Sequence, residues 1–174
     1  MDHFQKRLFI CGSVEKLDFQ SRQITHIICI ANPGASPAAP PWFNGASLQF
    51  WFGDVCSEAD ARECKTRAPD IEDIRRSLEF FRAAWDCEDS KIMVTCDYGA
   101  SRSPALAYIF IADQLGAGRE EEAFGLTLQI RPEAVPNGLV VRIGDAFLER
   151  NGALLRPLKQ FYNKLNFELF KQIK

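Results

Sequence analysis

The chain is poor in histidine and has no surplus of either charge. Its 174 residues hold two histidines, His3 and His26, and 21 basic against 23 acidic side chains give a formal net charge of -2. That balance argues against a nucleic-acid partner, which calls for a basic footprint. Cysteines at 11, 29, 56, 64, 87 and 96 show no metal-like pairing, so neither a zinc site nor any other metal is expected. No apolar run approaches the roughly 18 residues of a membrane span. The opening Met1-Asp-His-Phe-Gln-Lys-Arg lacks a signal peptide's apolar segment. The expectation is a soluble, cytoplasmic protein with reduced thiols. No long polar tract interrupts the chain and 47% of it is apolar, so residues 1–174 are expected to form a single domain with a substantial core.

What is present converges on Lys91 to Ala112. Lys91 to Thr95, with Ile92 and Val94, reads as a buried strand, and Ser103-Pro104 before an apolar run reads as a helix start. Between them stand Cys96 and, six residues on, Arg102. A loop joining a strand end to a helix start turns successive N–H groups toward one point, and such a nest binds an anion. Gly99 gives the turn its backbone freedom, and Pro104 suits the first helical turn. The same field favours the Cys96 sulfur as a nucleophilic thiolate. Arg102 is the matching cation, a planar fork for two phosphate oxygens, and Ser103 can donate its hydroxyl to the sulfur when it must leave. A Cys-x5-Arg spacing alone arises by chance about a quarter of the time in such a chain. Adding Gly three after the cysteine and Ser after the arginine lowers that to on the order of 0.1–0.2%.

Thr95-Cys96-Asp-Tyr-Gly99-Ala-Ser-Arg102-Ser103 resembles the signature loop of the cysteine-dependent protein tyrosine phosphatases, most closely the dual-specificity branch and its bacterial relatives. The resemblance implies an α/β fold, a central, mostly parallel twisted sheet of about four to five strands flanked by helices. It implies hydrolysis of a phosphomonoester, phosphotyrosine and also phosphoserine or phosphothreonine, through a phosphocysteine intermediate and without a cofactor. Cys96, Arg102 and Ser103 would then be catalytic, and Asp97, Tyr98, Gly99, Ala100, Ser101 and Arg102 would bind the phosphate. The partner would be a phosphorylated protein or peptide, or a small phosphomonoester. The alternative is a relative that binds phosphate, or scaffolds, without turnover. A third reading, sulfur transfer or arsenate reduction on the same kind of loop, is disfavoured by the features flanking it.

Upstream, Arg7 to Val14 and Ile24 to Ala31 read as strands, with a short helix over Glu15 to Gln23 between them. Ile24-Thr-His-Ile-Ile extends the resemblance, and His26 reads as structural. Asn32 to Pro41 is dense in proline and glycine and reads as a loop. Ser47 to Phe52 reads as an aromatic strand ending at Gly53-Asp54. The family keeps its general acid at such a strand end upstream of the cysteine, which points to Asp54, with Asp60 as runner-up. Aromatic neighbours Trp51 and Phe52 suit a carboxyl that must hold a proton to deliver it.

Asp70 to Trp85 reads as a helix capped by Asp70, with Ile71, Ile74, Leu78 and Phe81 on one stripe. Ser103 to Leu115 reads as a buried helix ended by Gly116, and another starts near Glu120. Arg131-Pro132...Pro136-Asn137 resembles the segment whose asparagine braces the phosphate loop in this family. Asn137 is also a natural N-cap for Leu139 to Phe147. Pro157 to Lys174 reads as a C-terminal helix packed on the domain, in a monomer or a weak dimer. Two positions depart from the family pattern. Thr95 stands where histidine is usual, leaving a hydroxyl to brace the loop, and Asp97 adds a carboxylate that would repel dianions unless it points outward. The added charge also argues against a phosphoinositide headgroup.

Overall fold

The computed structural model describes residues 3–36 and 38–172, with side chains described as far as residue 165. Runs rich in branched apolar residues form four strands, Leu8–Gly12 (β1), His26–Ala31 (β2), Ala46–Trp51 (β3) and Ile92–Cys96 (β4). They make one sheet in the order β1-β4-β2-β3, with every pair parallel. The central strand β4 is buried at all five positions, as a strand covered on both faces must be. β3, at the sheet edge, is mostly exposed or half-buried.

The helices are His3–Arg7 (α1), Glu58–Glu63 (α2), Ile71–Trp85 (α3), Arg102–Leu115 (α4), Glu120–Ile130 (α5), Gly138–Phe147 (α6) and Leu155–Gln172 (α7). α4 is buried from Arg102 through Ala112, the expected consequence of an apolar surface all round. It lies on the sheet between α5, α6 and α3, where Phe110 stacks on Phe81 at 4.5 Å between ring centroids. α3 opens with a full capping box, Asp70 and Asp73 each accepting the other's backbone N–H. Its stripe Ile74, Leu78 and Phe81 is buried, whereas Ile71 at the first turn stays exposed. α7 seats Leu158 in the core and Phe161 against Phe124. The helix read from Pro157 to Lys174 runs past the described residues, and its side chains beyond residue 165 lie outside them.

The sheet has four strands, within the expected range, but several element boundaries move. Residues 7–14 do not form one strand, because Arg7 closes α1. Its guanidinium donates to the carbonyls of Trp85, Cys87 and Ser90 and to the Ser90 hydroxyl, and sits 4.2 Å from the Trp85 ring centroid. The connection read as an ordinary short helix is a 3-10 helix, Glu15–Arg22. α1 and α2, of five and six residues, are too short for periodicity to reveal.

Candidate active site

Parallel pairing brings the ends of β1 and β4 together, Gly12 opposite Cys96, so the loop after Cys96 emerges at the carboxyl edge of the sheet. Gly99 there has φ +68°, and a Cβ on it would lie 2.4 Å from the Cys11 carbonyl carbon. Both the conformation and the close approach require glycine. From Asp97 to Ser103 no backbone N–H meets a protein acceptor among the described residues.

The loop is held from two sides by its carbonyls. Val135 N–H donates to Ala100 O at 2.7 Å and Asn137 N–H to Ser101 O at 3.1 Å, while Ser13 N–H donates to Asp97 O at 3.0 Å. Arg131 donates to the Tyr98 carbonyl at 3.3 Å and to Glu15, whose carboxylate also accepts the Gly12 N–H. That N–H, with Arg131, holds the Glu15 carboxyl below the usual carboxylate range. The Tyr98 side chain itself is 83% exposed.

Cys96 is buried, and the Ser103 hydroxyl donates to its sulfur at 3.2 Å. Arg102 is only 2% exposed. Its Nη1 donates to Asn32 Oδ1 and to the Phe52 carbonyl, both at 2.9 Å, and its Nη2 to Asp97 Oδ2 at 2.7 Å. Its Nε is buried without a hydrogen-bond partner, 3.9 Å from Asp54 Oδ2. A buried guanidinium N–H is costly to leave unmatched, so an acceptor belongs there. Asp97 therefore does not point outward but faces Arg102, and Asn32 donates a further bond to the same Asp97 oxygen at 3.1 Å.

Asp54 comes to the loop from the end of β3. Its Oδ1 accepts from the Ser101 hydroxyl at 2.6 Å and from Asn137 Nδ2 at 2.8 Å. Asn137 also donates to the Val55 carbonyl and accepts from the N–H groups of Leu139 and Val140, so it caps α6 and touches Asp54 at once. The segment carrying Asp54 is fixed from outside. Arg67 donates to the Trp51 carbonyl, pairs bidentately with Asp73 of α3, and accepts the Gly53 N–H on its own carbonyl. Asp60, the runner-up acid, lies in α2, where its N–H donates to the Ser57 hydroxyl and its side chain makes no bond to the loop.

Thr95 is buried, and its hydroxyl makes a long bond, 3.4 Å, to the Cys96 carbonyl. Burial pushes the Cys11 thiol up to about 12, so it stays neutral. The structure thus gathers Cys96, Arg102, Ser103, Asp54, Asn137 and residues 97–101 into one place. Sequence reasoning missed Asn32, Glu15 and Arg131. Arg131 alone carried a signal, through the Arg-Pro...Pro-Asn segment.

No family model matches the chain and no curated protein matches it. Solved structures do. Human DUSP28 superposes with a TM-score of 0.63 at 19% identity, over 84% of this chain and 94% of that one. The human tyrosine phosphatase-like serine/threonine/tyrosine-interacting protein gives 0.62 at 20%, over 80% and 89%. A mouse putative dual specificity phosphatase, complexed with zinc tungstate, gives 0.62 at 20%, over 84% of each chain. The four-stranded parallel sheet flanked by helices is thus a known architecture, and the chain has the fold of the dual-specificity phosphatases.

Proposed function

We propose that the chain is a phosphomonoester hydrolase acting on phosphotyrosine, and on phosphoserine or phosphothreonine, of a protein or peptide. The observation that carries this reading is the Arg102 Nε. It is buried without a hydrogen-bond partner, on a loop whose N–H groups are also unclaimed among the described residues and whose first residue is a cysteine. An anion with several oxygens satisfies all of these donors together.

In the proposed reaction the Cys96 thiolate attacks phosphorus. The S–P bond forms as the P–O bond to the alcohol breaks, and Asp54 gives its proton to the departing oxygen. Water then attacks the phosphocysteine and gives a proton to Asp54, the S–P bond breaks, and inorganic phosphate leaves. Ser103, 3.2 Å from the sulfur, steadies the thiolate as it departs. Arg102 and the loop amides stabilise the charge on the transferring phosphoryl group. Asn137 and Ser101 place Asp54, and Thr95 braces the strand behind the loop. Beside Asp54 an open cleft of about 420 Å³, lined by Asn32, Gly53, Lys65 and Thr66 among others, receives the rest of the substrate. No helix among the described residues is long and apolar enough to cross a membrane, and all six cysteines are free thiols. A reducing, cytoplasmic setting suits this chemistry.

The test is turnover of p-nitrophenyl phosphate and of an alkyl phosphate by the wild type, Cys96→Ser, Arg102→Lys and Asp54→Asn. Cys96→Ser is expected to be inactive. Arg102→Lys loses on the order of 10²-fold or more. Asp54→Asn loses far more on the alkyl ester than on p-nitrophenyl phosphate, whose leaving group needs little protonation. Should the wild type bind vanadate yet turn nothing over, the hydrolase reading fails and a phosphate-binding relative stands. Full activity of Asp54→Asn on the alkyl ester would move the acid elsewhere.

A further inference from the structure

Asp97 looks at first like a fault in an anion site, a carboxylate that would either repel phosphate or occupy its seat. The bonding of Arg102 decides against both. A guanidinium presents two edges to an acceptor pair, an end formed by Nη1 and Nη2 and a side formed by Nε and one Nη. Here the end is taken. Asn32 Oδ1 accepts from Nη1 and Asp97 Oδ2 from Nη2, and Asn32 Nδ2 donates to that same Asp97 oxygen, closing a ring of three side chains. Phe52 O takes a second hydrogen of Nη1. On the side, Nε has no hydrogen-bond partner, with Asp54 Oδ2 3.9 Å away, and Nη2 keeps a second hydrogen beyond the one given to Asp97. An anion arriving at the side edge therefore does not have to displace Asp97.

We propose that Asp97, buckled to Asn32, is a positioning residue for phosphate binding: it grips the end of the Arg102 fork so that the Nε side is presented to the phosphoryl oxygens. Without Asp97 the fork would be held at Nη1 alone, by Asn32 and the Phe52 carbonyl, and nothing would fix Nη2 away from the anion. Asp97 is adjacent to the nucleophile in sequence, and its own carbonyl is fixed by Ser13, so the buckle is built from the same loop that it aligns. Asn32 reaches in from the loop after β2, which couples the cradle to the wall of the substrate cleft that Asn32 also lines.

Asp97 has this role only if Arg102 grips phosphate, as proposed above, and the measurements separate the two. The full chain and its Asp97→Ala, Asp97→Asn and Asn32→Ala variants are titrated with inorganic phosphate and with orthovanadate. Protection of Cys96 from iodoacetate is read by mass spectrometry, beside the KM and kcat for p-nitrophenyl phosphate. Asp97→Ala and Asn32→Ala are expected to weaken protection and raise KM on the order of 10- to 100-fold, with kcat falling less. Asp97→Asn keeps an acceptor for Nη2 and stays within about threefold of wild type. In an Arg102→Lys background, Asp97→Ala has no further effect on protection, as expected when one residue acts through the other. Tighter phosphate binding in Asp97→Ala would show that Asp97 blocks the seat, and unchanged binding in both alanine variants would make it a spectator; either overturns the proposal. A wild type protected by phosphate but without turnover ends the hydrolase reading alone, since the protection series still reads Asp97. A wild type neither protected nor active ends both.

Discussion

Asn137 offers the sharpest test, because one buried side chain does two separable jobs. Its Oδ1 accepts the Leu139 and Val140 N–H groups, both at 3.0 Å, and its Nδ2 donates to Asp54 Oδ1 at 2.8 Å and the Val55 carbonyl at 3.1 Å. Asn137→Ala removes a helix cap, about 1 kcal/mol. It also leaves the Val55 carbonyl without its partner, a further 1 to 2 kcal/mol or so. The sum, about 2 to 3 kcal/mol, corresponds to a Tm lower by about 4 to 12 °C for a chain of this size. Asn137→Asp keeps the cap, since aspartate is as good an N-cap as asparagine. It loses both donors, however, and sets a carboxylate against that of Asp54. Both variants should therefore melt below wild type, alanine through the lost cap and the unpaired Val55 carbonyl, aspartate through that same carbonyl and the two facing carboxylates, and aspartate should lose more turnover on an alkyl phosphate, where proton delivery limits the rate. Thermal melts by circular dichroism and steady-state kinetics on an alkyl ester read the two effects. If Asn137→Ala melts within 1 °C of wild type, or if the aspartate variant turns over normally, the double role is wrong.

Other outcomes follow from single features. Gly99→Ala should abolish phosphate protection of Cys96, because its Cβ would enter the Cys11–Gly12 backbone in a conformation that side chains rarely adopt; normal protection would show that the loop yields. Native alkylation with iodoacetamide near pH 7.5, followed by mass spectrometry, should label exposed Cys56, Cys64 and Cys87 and the proposed nucleophile Cys96 but spare Cys11 and Cys29. Burial raises both of the latter, keeping them as neutral thiols at that pH. The Glu15 carboxyl is lowered in the fold, so its stabilisation is full above its unfolded value and is lost as pH falls through the lower folded one. Below about pH 4 the Tm of wild type should thus fall more steeply than that of Glu15→Gln, and parallel slopes would show that the Gly12–Glu15–Arg131 contact contributes nothing.

The parts of the site legible in the sequence are those in which chemistry and local spacing coincide. Cys96, Gly99, Arg102 and Ser103 lie within eight residues, and a strand-to-helix loop leaves few ways to arrange them. Asp54 was legible because it ends an aromatic strand where the resemblance implies an acid, and Asn137 because it stands in a segment that resembles the family's Arg-Pro...Pro-Asn and precedes an apolar helical run. Asn32 was not. It sits in a proline- and glycine-rich loop, and nothing local distinguishes it from a turn residue until β2 and β4 pair and bring it to Arg102. The charge of Asp97 was evident but its direction was not, since facing Arg102 depends on the partner that Asn32 supplies. Arg7 was absorbed into a strand because an arginine beside Leu-Phe-Ile has no sign of the carbonyls it will meet some 80 residues later.

The carbonyl clamps on the loop carry a consequence for the life of the chain before it is folded. Ser13, Val135 and Asn137 must all be in place before the loop from Cys96 to Arg102 acquires its shape, so the site is closed by contacts of long sequence separation from both directions. On a ribosome the cysteine emerges about 40 residues ahead of its last brace. Until that brace arrives the carbonyls of Ala100 and Ser101 lack their partners, so the geometry of the site is withheld from unfinished chains and completed only when Val135 and Asn137 dock on the loop.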